Sequence, residues 1–169
     1  MTHLLSFLGK GNHKKNSAPV DVCAAVQDCA SVCLPKIQKI YPDFDLAYYT
    51  LQAEETIVSV LQAITKQDGA LLLHGHERLQ KQIDNIIANQ RLGGRHTPFE
   101  AVILQQTALA ACRQEDRHFN ITFQCALSCR SCTMEGDAVI QGDREQAQAR
   151  VYSLVLDSDY WLFTHFERG

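Results

Sequence analysis

The amino-acid sequence predicts an all-α fold, a single-domain bundle of five or six helices. Three observations predict it. Apolar residues recur at steps of three and four over four stretches before residue 117, Gly and Pro separate those stretches, and capping residues stand where helices would begin. The alternative is an α+β chain with a C-terminal β-hairpin or small sheet, because the periodicity becomes ambiguous after residue 117.

The first stripe carries Val22, Val26, Cys29, Cys33, Ile37 and Ile40 after a cap at Ser17 and Pro19, with Pro35 removing one donor inside it. Pro42-Asp43 restarts the chain, and Leu46, Tyr49, Ala53, Ile57, Val60 and Ile64 predict a second helix to about Lys66. After Asp68-Gly69, a third stripe of Leu72, His76, Leu79, Ile83 and Ile86 or Ile87 runs to the stop at Gly93-Gly94. Thr97-Pro98-Phe99-Glu100 has the form of a capping box, predicting helix from Pro98 to about Arg113.

Beyond that point two readings compete. Phe119, Ile121, Phe123, Cys125, Leu127 and Cys129 alternate as in a strand, yet Phe119, Phe123, Ala126 or Leu127, Arg130 and Met134 also fit a helix. Asp143-Arg144-Glu145-Gln146 resembles a second capping box leading into a final helix through Val151, Leu154 and Trp161. Its competitor is a hairpin of Val151–Leu156 and Tyr160–Phe166.

The domain organisation expected is a flexible tail over residues 1–16, rich in Gly, Asn and Lys, and a helical domain over 17–169. Hydrophobic content of 46% with 21% charged residues is globular rather than disordered. A net charge of −3, with basic residues clustered only at Lys10, His13, Lys14 and Lys15, argues against nucleic acid as a partner. No run approaches the ~18 apolar residues of a membrane span, and the short apolar start lacks the basic flank and cleavage pattern of a signal peptide. The expected location is the cytoplasm, or a compartment reached without a cleaved signal peptide. Seven cysteines in a chain that needs no staples then suit reduced thiols better than disulfides.

One cysteine group has chemical content. Cys125, Cys129 and Cys132 form C-x3-C-x2-C, and on a helix the three sulfurs would share one face. With Cys112, or Cys29 and Cys33 of the first stripe, supplying a fourth sulfur they make a candidate site for Zn or Cu(I); otherwise they are small buried hydrophobes and the chain carries no cofactor. The spacing also resembles the cluster-binding motif of radical S-adenosylmethionine enzymes, with Phe119, Ile121 and Phe123 in place of the preceding strand. That resemblance implies a large partial barrel after the motif, for which residues 133–169 are too few, so it is set aside.

His74, His76 and Glu77, with His96, His118 and Glu55, invite a carboxylate-bridged metal site, but the paired Glu-x-x-His pattern of such bundles is missing. His76 falls on an apolar stripe and reads as a core or bundle-end residue. Cys112 and His118 imply no nucleophile, because no orienting acid accompanies them. With no catalytic motif, the expected function is a non-enzymatic binding or adaptor protein that works through protein–protein contacts, homo-oligomerisation among them. The alternative is a thiolate metal-binding or redox-responsive protein. The aromatic C-terminus closes the core or offers Trp161, Phe163 and Phe166 to a partner.

Overall fold

A computed structural model describes residues 26–168; the expected tail over 1–16 and the helix start near Ser17 lie outside the described residues. The fold is α+β, three helices against a five-stranded antiparallel sheet, and this corrects the all-helical bundle. The helices are α1 (Ala30–Ile40), α2 (Leu46–Lys66) and α3 (Glu77–Leu92), and they occupy the first half of the described chain. From Arg95 onward the chain is strand: β1 (Arg95–His96), β2 (Phe99–Glu115), β3 (His118–Glu135), β4 (Ala138–Asp157) and β5 (Leu162–Arg168).

α2 follows its stripe, whereas α1 begins only after Val26 and Cys29 of its own, and α3 only after Leu72 and His76. α2 starts at Asp45, whose carboxylate accepts from the amides of Ala47 and Tyr48 at 2.9 and 3.2 Å, and it buries Ala53, Ile57, Val60, Leu61 and Ile64. α3 buries Leu79, Ile83 and Ile87, one per turn. Its cap is His76, whose Nδ1 accepts from the Arg78 amide at 3.3 Å while the ring stacks on Tyr160. No helix among the described residues is long and apolar enough to cross a membrane.

The expected helix over Pro98–Arg113 is strand β2, and the reason lies in the partners of its capping groups. The Thr97 hydroxyl faces Gln90 and Thr133 instead of the Glu100 amide, and the Phe99 amide donates to Thr65 Oγ1 at 2.9 Å. Val102, Ile103 and Thr107 are β-branched, and β3 offers a complementary ladder along almost the whole segment, so tertiary pairing overrides local helix preference. The second apparent capping box has the same fate. Asp143 Oδ1 does accept from the Glu145 and Gln146 amides, at 2.7 and 3.1 Å, but the turn it closes is an irregularity within β4 between the pairs Ser131–Asp143 and Cys129–Gln148.

β1 and β2 both pair with one edge of β3, at its end and along its body respectively, and β4 and β5 follow on the other side. Two-residue turns at Asp116-Arg117 and Gly136-Asp137 join β2 to β3 and β3 to β4, each with its first residue at positive φ, which suits hairpin twist. Ser158 fastens the β4–β5 turn to β3: its amide donates to the Phe119 carbonyl and its hydroxyl accepts from the Phe119 amide. The outer side of β5 is also covered. Phe163 exchanges backbone hydrogen bonds with His74 and His76, and the Gln82 side chain satisfies both the amide and the carbonyl of Phe166.

The core lies between the helices and one face of the sheet. Register places Leu109, Phe123, Leu154 and Phe166 side by side across four strands, and all four are buried.

Candidate functional site

Alternate residues of β4 from Leu156 back through Leu154, Tyr152, Arg150 and Gln148 change from apolar to polar as the strand leaves the cover of the helices. Where they change, α3 and the sheet part to form a cleft of about 550 Å³, within the roughly 300–1,000 Å³ common for small-molecule sites. Ile64, Ile86, Phe99, Tyr152 and Phe166 supply an apolar wall. Gln90, Thr97, Ser131, Thr133 and Gln141 supply hydrogen-bonding groups, and Arg150 and Arg168 supply positive charge.

Among the described residues no carboxylate lines this cleft, and neither guanidinium has a carboxylate within 4.0 Å. Arg150 donates through Nη2 to Ser131 Oγ at 3.3 Å and to Gln148 Oε1, while its Nε is buried without a partner. Gln90 Oε1 is likewise buried and unpartnered, although its Nε2 donates to Thr97 Oγ1 at 3.1 Å. Unmet buried hydrogen-bonding capacity is costly, of order 1–3 kcal/mol per group, so the cleft is chemically prepared for a polar ligand group. Tyr152, at the floor, has its hydroxyl pushed up to about 12 by burial and is neutral, so it adds no negative charge.

The residues expected from the sequence are placed elsewhere or apart. C-x3-C-x2-C lies on strand β3, not on a helix, so Cys125 and Cys129 face the core about 13 Å apart along the strand and Cys132 lies further on, beyond an irregularity. Burial pushes the Cys125 thiol up to about 12 and raises Cys129 as well, which disfavours the thiolate that Zn or Cu(I) requires. Cys112 is on β2 opposite Ile121 and approaches α1 instead. The four cysteines are therefore not gathered. Phe163 and Phe166 are buried, and Trp161, partly buried, packs edge-on to Tyr41 and near Phe44 and Tyr49.

Among the described residues, only His118, Asp157 and Asp159 bring three His, Cys, Asp or Glu ligand atoms within 4.8 Å of one another. His118 Nδ1 lies 3.2 Å from Asp159 and 3.5 Å from Asp157, and the close approach of Asp159 and the charge of Asp157 raise its pKa above 6.5 despite opposing desolvation. Because the folded state favours the imidazolium, this pair stabilises the β4–β5 turn below the unfolded pKa, and the contribution is lost as pH rises through the raised one. His118→Gln is expected to remove part of the melting-temperature difference between about pH 5.5 and about pH 8.5, either side of an ordinary imidazole. An unchanged difference would show that the three groups do not interact.

Arg150 escaped notice in the sequence because the segment around it reads as helical. The signal was the period-two run from Gln148 to Leu156. Comparison of the sequence with protein-family models and with curated proteins finds no match.

Proposed function

We propose that this chain is a non-enzymatic binding protein and that the cleft between α3 and the sheet takes an amphipathic anion. The observation that carries the reading is Arg150, a half-buried guanidinium with an unpartnered Nε and no facing carboxylate, placed where apolar wall meets polar rim. An anionic head group would complete its hydrogen bonding, with Arg168 adding charge, and a hydrocarbon segment would lie against Ile86, Phe99 and Phe166. A cytoplasmic location belongs to the same reading, since the cysteine-rich chain suits a reducing compartment.

Calorimetry with single-chain carboxylates below their micellar concentration tests this, with the matching alcohol as control. The carboxylate is expected to bind saturably. Arg150→Gln is expected to weaken it by roughly 10- to 150-fold, the value of a charge-assisted hydrogen bond of about 1.5–3 kcal/mol. Equal binding of alcohol and carboxylate, or no saturable binding of either, would overturn the reading.

Contact with another protein is a second reading, and one observation favours it. Residues 138–151 of β4 pair with β3 on one side only, and Val139 and Ile140 are exposed there.

A further inference from the structure

We propose that Cys33 and Cys112 are a redox site, a dithiol that a hydroperoxide closes into a disulfide joining α1 to β2. The amide of Cys29 donates to the Leu109 carbonyl at 2.8 Å and pins the start of α1 to β2. One turn later Cys33 points inward, 4% exposed, into the core against which Cys112 packs, and the two thiols lie close enough to influence one another. Cys112 is partly exposed and opens onto a surface cavity of about 390 Å³ that it shares with Lys36, Lys39, Ile40 and Gln114. The pair is therefore asymmetric: an oxidant can reach one sulfur, and the other waits behind it.

Cys29 is not gathered with these two into a three-thiol group, so the arrangement suits a two-thiol reaction rather than a soft-metal site. Burial pushes the Cys33 thiol up to about 11, which keeps it protonated while Cys112 reacts. Lys36 and Lys39 flank the cavity onto which Cys112 opens.

The Cys112 thiolate attacks the terminal oxygen of the hydroperoxide, forming an S–O bond as the O–O bond breaks, and the departing alkoxide takes a proton to leave as alcohol. Cys33 sulfur then attacks the sulfenic sulfur, forming the S–S bond as the S–O bond breaks, and the thiol proton leaves with the hydroxide as water. Two thiols lose two electrons, and the hydroperoxide is reduced to alcohol and water. No step uses the cleft beside Arg150.

The test treats the full chain with a modest excess of tert-butyl hydroperoxide, alkylates the remaining thiols and maps peptides without reduction. A Cys33–Cys112 cross-link is expected, reversible by dithiothreitol and accompanied by a higher melting temperature, because closure fastens α1. Cys33→Ala keeps the buried site apolar and is expected to leave a Cys112 sulfenic acid trapped by dimedone. Cys112→Ser is expected to leave Cys33 unoxidised. Cross-links chiefly through Cys29, or a singly oxidised Cys112 beside an alkylatable Cys33 in the unsubstituted chain, would overturn the proposal.

Discussion

Phe123→Ala is expected to destabilise the fold by about 3–5 kcal/mol, the range for removing a fully buried aromatic ring. Phe123 sits in the row Leu109–Phe123–Leu154–Phe166 with no exposed surface, and its ring meets Phe163 edge-on at 6.1 Å. Its neighbours come from three other strands and cannot collapse together without breaking register, so the cavity stays open and carries its full cost. A domain of this size has about 5–15 kcal/mol in total, so the variant should unfold at markedly lower denaturant. Phe123→Leu keeps most of the volume and should cost much less. A Phe123→Ala loss below about 1 kcal/mol would mean that this row is not the mechanical centre of the sheet.

The helical half was legible because its signals are local. Leu46 to Lys66 and the Gly93-Gly94 stop can be read directly from apolar spacing and punctuation, and both stand in the structure. The sheet half misled for an equally physical reason. Ala101, Ala108, Ala110 and Ala111 favour helix in isolation, and the Thr97 and Asp143 boxes are sound local signals; what outweighs them is a ladder to β3 formed by residues far along the chain. Within the sheet the strand period is plainest from Phe119 to Cys129, where odd positions face the core without interruption, although the same residues also fit a helix.

The candidate site was almost invisible for the same reason. Arg150, Gln90 and Phe99 come from β4, α3 and β2, and nothing in their spacing brings them together. The cysteine group stood out because it is compact in sequence, but a spacing that unites three sulfurs on a helix spreads them along a strand. The contact that does join two cysteines, Cys33 to Cys112, has no short-range signature at all.

Gly142→Ala is expected to cost about 2–4 kcal/mol, the sum of left-handed backbone strain and a forced contact. Gly142 pairs with Cys132 at the floor of the cleft with φ at +84°, and a Cβ there would lie 2.7 Å from the Ser131 carbonyl oxygen and 3.1 Å from the Cys132 Cα. Both obstacles are backbone, so no side chain can swing away. Gly136 in the β3–β4 turn supplies the control: its φ is +58°, but nothing lies within 4 Å of an added Cβ. Gly136→Ala should therefore cost only the strain, about 1–2 kcal/mol, and the excess at Gly142 measures the close approach of β4 to β3. Because Ser131 also accepts from Arg150, pushing the two strands apart at Gly142 should weaken carboxylate binding together with stability. Equal losses for the two variants in urea denaturation would show that β4 yields freely at this point, and the cleft floor would then not be the fixed surface on which Arg150 is set.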